Sequence, residues 1–264
     1  MVSAFVIGER YHHGEGLLYR ADSRVKLLIA IAFAFAVTAI PEGHWLSFAA
    51  FAVFVVVAIA LSRLPVWLVV RRSLLALPFI AAAIPLIFTR PGETVFTVPL
   101  VGWTASDAGL VAVGSILLKS WLAVLVAVVL TSCTQPIDLI RGLERLHVPR
   151  VLAATIFFMY RYLFVIGGEG QRLMRARESR SAISPRGYKT GGSLAWRAKV
   201  LGNMVGSLFI RSYERSERIY AAMQARGYDG TVRFADERTL VRADWLLLAT
   251  ALIALGGLVI HARL

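Results

Sequence analysis

Four apolar runs, Val25–Ile40, Trp45–Leu61, Ala108–Thr131 and Trp245–Ile260, dominate this chain of 264 residues. About 20 apolar residues cross the hydrocarbon core of a bilayer, and several runs of that order cannot all be core helices of so small a soluble protein. The whole chain carries the same signature, with 58% hydrophobic residues, 17% charged residues and a mean hydropathy of +0.67. Soluble domains hold roughly 45–50% apolar and about 25% charged residues. Backbone groups in hydrocarbon must be satisfied within the segment, so the runs are expected as helices. The expected fold class is an all-α membrane protein.

The formal net charge of +13 raises nucleic acid as a partner, but its placement argues against that. Of the 29 Lys and Arg, 19 lie between Ser132 and Asp244, together with 10 of the 16 acids. No aromatic-basic RNA motif or zinc-finger spacing interrupts this stretch. Basic loops retained on the cytoplasmic side of a membrane give the same distribution. One cysteine, Cys133, excludes an intrachain disulfide and a cysteine cluster. Residues Met1 to Lys26 show no short apolar core before a small-residue cleavage site, so the first span is expected to do the targeting.

Charge flanks orient the spans. Arg20, Arg24 and Lys26 put the N-terminus in the cytoplasm, and Arg63, Arg71 and Arg72 return the chain there after the second span, His44–Leu61. A third span is expected over Ser73–Phe88, bent or broken by Pro78 and Pro85. Thr89–Asp107, with Pro91-Gly92, Pro99 and Gly102, reads as an outer loop or re-entrant hairpin. Val151–Ile166 is difficult, because Arg161 lies inside it and Arg150, Arg172, Arg175, Arg177 and Arg180 flank it. A helix lying along the cytoplasmic membrane face fits better than a sixth span. The expected order is a membrane bundle over 1–131, a cytoplasmic helical domain over 132–244 and a closing span over 245–264, five spans with a sixth as the alternative.

Within the cytoplasmic stretch, Ser193–Gly227 reads as one or two amphipathic helices. Val205, Ser212, Ile219 and Arg226 recur at seven-residue spacing, and Glu214 and Arg218 are i,i+4 partners. Gly227 offers a left-handed helix end, which puts Arg226 at a tip. Ser184-Pro185-Arg186-Gly187 and Gly191-Gly192 are turn signals. Two tripeptides stand out, Ala176-Arg177-Glu178 and Ala225-Arg226-Gly227, each with a small residue before an arginine late in a helix. A small neighbour permits close approach, and a guanidinium offers a planar fork of donors to carboxylates. Ordinary solvated helix arginines would look the same in sequence. A two-fold symmetric partner would present two equivalent grooves to such a pair.

Other polar residues carry less. His12 and His13 beside Glu9 and Glu15 could bind a metal, though adjacent histidines near a terminus are commonly solvated. Lys119 lies inside the fourth span, where a charge is functional by default, and packing against another subunit is the expectation. Asp138, Glu144 and Arg145 read as an ordinary amphipathic helix. Gly187-Tyr188-Lys189-Thr190 lacks the glycines of a nucleotide-binding loop, so any nucleotide site lies in trans.

Taken together, these segments resemble the transmembrane T component of energy-coupling factor (ECF) transporters, including its cobalt-type members. Ala21-Asp22-Ser23-Arg24-Val25-Lys26-Leu27 is similar to the family's Asp-Pro-Arg-x-Lys-Leu opening of the first span, with Ser23 in place of proline. Val148-Pro149-Arg150 followed by Tyr160-Arg161-Tyr162 resembles the start of the family's cytoplasmic domain. The two Ala-Arg-x tripeptides match its paired coupling motifs, and Glu178 departs from the small residue often found in the first. The resemblance implies a non-catalytic subunit without a cofactor. Its implied partners are two ATP-binding-cassette ATPase subunits, docked at Ala176, Arg177, Glu178, Ala225, Arg226 and Gly227, and a small substrate-binding membrane S component. The implied substrate is a transition metal (cobalt or nickel) or a vitamin. A permease of another transporter class that binds substrate itself is the alternative from the residues alone.

Overall fold

A computed structural model describes residues 16–74, 83–91, 93–98, 103–180, 193–230 and 240–263. In chain order the described elements are α1 (Leu17–Arg20), α2 (Ser23–Thr38), α3 (Trp45–Ser62), α4 (Val66–Ser73), α5 (Leu86–Thr89), β1 (Thr94–Val98), β2 (Trp103–Ser106), α6 (Asp107–Cys133), α7 (Pro136–Arg145), α8 (Arg150–Ser179), α9 (Leu194–Ala225) and α10 (Arg242–His261). The chain divides into two compact units. One carries α1–α7, the hairpin and α10, and the other carries α8 and α9.

The first unit is a helical membrane bundle whose larger buried cluster is aromatic and aliphatic. Phe33 and Val37 of α2, Phe51 and Val55 of α3, Leu122 of α6 and Leu255 of α10 bury their side chains together. Phe33 meets Phe51 edge-on, and its ring stacks on Phe54, both at 5.5 Å between centroids. Lipid tails are as apolar as leucine, so such packing and the few polar ties between helices hold a bundle together in hydrocarbon. Those ties are specific. Trp121 Nε1 donates to Ser73 Oγ at 3.0 Å, Arg72 Nη1 to Ser132 Oγ at 2.7 Å, and the Gly43 amide to Ser115 Oγ at 3.1 Å.

Helix starts follow local capping chemistry. Asp22 caps α2 by accepting from the Arg24 amide at 2.9 Å, and Ser106 caps α6 by accepting from Gly109 at 3.0 Å. Gly142 lets α7 lie on the start of α2, because a side chain there would meet Ser23 Oγ at 3.1 Å. Among the described residues four helices, α3, α6, α8 and α10, are long and apolar enough to cross a membrane by length and composition. The 16 residues of α2 reach about 24 Å at 1.5 Å per residue, short of the full hydrocarbon thickness.

Three sequence expectations are refined. The run Ser73–Phe88 is described only at its ends, with α4 closing at Ser73 and Pro85 preceding the single turn of α5, while Pro78 lies outside the described residues. Thr89–Asp107 holds an antiparallel β-hairpin, pairing Thr94 with Ser106 and Val98 with Trp103, with a bulge between Thr94 and Phe96. The Thr-Val-Phe-Thr-Val run is rich in the β-branched and aromatic residues that favour strands. Pro99 and Gly102 lie outside the described residues. The apolar run Val151–Ile166 does not end where its hydrophobicity does. It forms the first half of one 30-residue helix, α8, that continues to Ser179.

Candidate coupling site

In the second unit, α8 and α9 run antiparallel. Glu169 of α8 pairs with Arg211 of α9 at 3.7 Å and with Arg172 on its own helix at 3.1 Å. Nearby, a side chain on Gly170 would touch Leu208 at 3.8 Å. Arg177 lies about 10 Å along α8 beyond that crossing, and Arg226 lies about 22 Å along α9 beyond Arg211, in the opposite sense. The two arginines therefore occupy separate ends of the pair.

Each is held by the end of its helix. Arg177 is in the last turn of α8, half-buried, between exposed Ala176 and exposed Glu178. Ser179 Oγ donates to the Ala176 carbonyl at 3.0 Å, and the Arg180 amide donates to the Arg177 carbonyl at 3.1 Å. Arg226 is the exposed C-cap of α9, and Gly227 follows with φ +78°. The Gly227 amide donates to the Gln224 carbonyl at 2.9 Å, and the Tyr228 amide to the Met223 carbonyl at 3.0 Å. This pair of bonds is a Schellman stop, which requires a left-handed residue best supplied by glycine. The sequence expectation of a helix ending at Gly227 holds, as does the Glu214–Arg218 pair at 3.9 Å.

Sequence reasoning missed what fixes this tip against its neighbour. Tyr228, one residue past the glycine, turns back onto α8 and meets Phe158 edge-on, with ring centroids 6.3 Å apart. Both rings line an apolar cleft of about 490 Å³ between α8 and α9, with Tyr162, Ile219 and Met223. A Schellman stop is often accompanied by an apolar contact made by the residue after the glycine, so Tyr228 was the signal available in sequence. The turn signals Ser184-Pro185-Arg186-Gly187 and Gly191-Gly192 lie outside the described residues, as do Glu9, His12, His13 and Glu15.

The charged opening of the first span has a structural role in the bundle. The Asp22 amide donates to Asp244 Oδ1 at 3.1 Å, and the Val241 amide donates to Asp244 Oδ2 at 3.1 Å, so one buried carboxylate joins the starts of α2 and α10. Lys26 Nζ donates to the Cys133 carbonyl at 3.3 Å, satisfying an acceptor at the end of α6. Lys119 makes contacts within its own bundle. Its Nζ donates to the Ile40 carbonyl at 2.6 Å and reaches the Thr38 carbonyl at 3.4 Å, neutralising the exposed acceptors where α2 ends. Beside that end, Glu42 is bidentate with Arg90, with Nη2 to Oε1 at 3.1 Å. The hydrogen bond from Arg90 holds the Glu42 carboxyl below its ordinary pKa.

The chain is similar to known proteins over most of its length. The model of a family described as CbiQ, cobalt transport protein, matches residues 14–236. The chain is 31% identical over 251 residues to the energy-coupling factor transporter transmembrane protein EcfT of Brevibacillus brevis, covering 88% of each chain. It is 26% identical to EcfT of Listeria innocua over the full length of both. An uncharacterized protein of Methanocaldococcus jannaschii is 28% identical over 97% of this chain and 86% of its own.

Proposed function

This chain belongs to the CbiQ family of cobalt transport proteins, and from that premise we propose that it relays ATP-driven motion within an ECF-type importer. It is a multi-pass membrane protein and the transmembrane component of such a transporter. In the proposed mechanism, two ATP-binding-cassette ATPases hydrolyse ATP in trans. Each takes one helix end, the first at Ala176, Arg177 and Glu178, the second at Ala225, Arg226 and Gly227. Their closure is passed through α8 and α9 to a small membrane subunit that captures the substrate, a transition metal such as cobalt or nickel, or a vitamin. The N-terminus and the stretch 132–244 face the cytoplasm, where the ATPases are.

The observation that carries this reading is the placement of both arginines at the ends of two long antiparallel helices. A guanidinium on a helix end can enter a groove and form a bidentate contact with a carboxylate, and a stiff helix carries the displacement away from the contact. A mid-helix arginine such as Arg215, beside the apolar cleft, has no such reach.

Two anchors on one body hold a partner partly by effective concentration, so removing one is expected to leave assembly largely intact. Transport falls more steeply, because both ends must be dragged. Arg177→Ala and Arg226→Ala are therefore expected to lose substrate uptake more than co-purified ATPase, and the double variant to lose both. Losing one partner of a desolvated charge contact costs about 2–5 kcal/mol, and lysine rescues only in part because it lacks the fork. Arg215→Ala retains both activities. Full uptake by the double alanine variant refutes the coupling role.

A further inference from the structure

Two non-glycine residues among those described hold a left-handed backbone, Arg63 at φ 51° and His147 at φ 67°. Each stands in the same local pattern: a helix end, the left-handed residue, one apolar residue, and a proline that caps the next helix. Arg63-Leu64-Pro65 joins α3 to α4, and His147-Val148-Pro149 joins α7 to α8. In both, the proline carbonyl accepts a bond at 2.9 Å from the first turn of the new helix, from Leu68 and from Leu152. A side chain disfavours the left-handed well by a factor of about 5–30, so each corner is strained and its surroundings must hold it.

The two corners are held differently. Leu64 is 5% exposed and belongs to a buried cluster with Val69, Val129 and Cys133, so packing pins the first corner within one unit. At the second corner Val148 is only half-buried, and His147, Pro149 and Arg150 are exposed. The chain also passes there from the membrane unit into the unit of α8 and α9, between Leu146 and His147. The residues after His147 are stiff. Proline fixes its own φ and keeps the residue before it out of the helical region, so Val148 stays extended. His147 alone in this corner has two wells open to it, the left-handed one and the right-handed one that relieves its strain.

We infer that His147 is a single-residue hinge about which the unit of α8 and α9 turns relative to the membrane bundle. The left-handed state is the strained one, and passage to the right-handed well redirects α8 as a stiff rod from Pro149 onward. Strained backbone of this kind persists where surrounding structure over-determines it or where a switch uses it. Buried packing supplies the first reason at Arg63, and the exposed corner at His147 leaves the second. The inference concerns the conformations of this chain and stands or falls independently of the ATPase contacts proposed above.

The test uses the full chain with Cys133→Ser in lipid nanodiscs, carrying spin labels at two exposed positions, Thr131 in the last turn of α6 and Met174 of α8. Met174 lies about 36 Å along α8 from its start, so a turn at His147 is amplified there. Pulsed electron–electron double resonance reads the populations of the distances between the labels. His147→Gly removes the left-handed penalty and is expected to raise the distance of the left-handed state over any other by about 5–30-fold. His147→Val, whose branched side chain rarely enters that well, is expected to deplete the same distance in favour of a second one, with His147→Ala between Val and the native chain. Arg63→Gly relieves the same strain at the packed corner and leaves the distribution unchanged. Circular dichroism shows which variants fold. One unchanged distance in every variant that folds means a rigid corner and overturns the inference. An equal shift in Arg63→Gly also overturns it, because the distances then follow general stability.

Discussion

Replacing Asp244 by alanine removes a side chain that joins the starts of α2 and α10. Its two oxygens accept from the Asp22 and Val241 amides, both at 3.1 Å. The two losses are unequal. Asp22 is 7% exposed, so its amide is left buried, and a hydrogen bond to a charged group is worth about 1.5–3 kcal/mol. Val241 is 61% exposed, so water can replace its partner, and the loss resembles that of a helix cap, about 1 kcal/mol. Removing the carboxylate also relieves the cost of burying it, which offsets part of the loss. The expected net destabilisation is about 2–3 kcal/mol, a change of about 30-fold or more in the folded-to-unfolded ratio. Asp244→Asn keeps the shape and one acceptor, and should cost less than alanine. Denaturant titration of the purified chain in mixed micelles, followed by helical circular dichroism, measures both. An alanine variant within about 0.5 kcal/mol of the native chain, the range of ordinary surface substitutions, would refute the account of this tie.

Two further outcomes follow from the ends of α2. Lys119→Met keeps the length of the side chain and loses its bonds to Ile40 and Thr38; it should destabilise the bundle by about 1–2 kcal/mol in the same titration while retaining co-purified ATPase. Glu42, whose carboxyl is lowered by its hydrogen bond from Arg90, contributes its pairing above the ordinary carboxylate pKa and loses it as pH falls through the folded value. In Arg90→Gln the Glu42 carboxyl should titrate closer to its ordinary pKa, read by carboxyl carbon NMR, with little change in stability because the pair is exposed.

Much of the architecture was legible because hydrocarbon imposes a simple rule on sequence. Runs such as Trp45–Leu61 and Ala108–Thr131 appear as α3 and α6 within a few residues, since length and apolarity alone decide a buried helix in a bilayer. The rule weakens where function mixes charge with apolar faces. In α8 the arginines flanking Val151–Ile166 suggested an end to the segment, yet polar residues after Ile166 continue one helix, because helix propagation does not require an apolar surface. The strands of the hairpin were hidden for another reason. Five residues of strand pattern between turn signals resemble any outer loop, and only the pairing of Thr94–Val98 with Trp103–Ser106 distinguishes them. Lys119 was legible as an unusual charge, but not its partners. They are backbone carbonyls at the end of α2, and such acceptors carry no side-chain signature.

The two helix ends that carry Arg177 and Arg226 are built differently, and that difference can be tested. Arg180 is the C-cap of α8, with φ −91°. Arg177 remains inside the last turn. The end of α9 depends on Gly227 at φ +78°, where nothing lies within 4 Å of the position a side chain would take. Alanine there meets no steric neighbour, so its cost is the left-handed backbone alone, about 1–2 kcal/mol. That is comparable to the two bonds closing the stop, and the last turn of α9 should fray. Fraying detaches Tyr228 from Phe158 and loosens Arg226, while the end of α8 is untouched. If Arg226 docks as proposed, Gly227→Ala should weaken ATPase retention most when combined with Arg177→Ala, which leaves the loosened end as the only anchor. It should add little to Arg226→Ala, where that anchor is already gone. Gly227→Asn, which tolerates the left-handed region, should recover most of the loss. Additive losses from Gly227→Ala in both backgrounds would show that the glycine acts through general stability and that the geometry of this tip does not matter for docking.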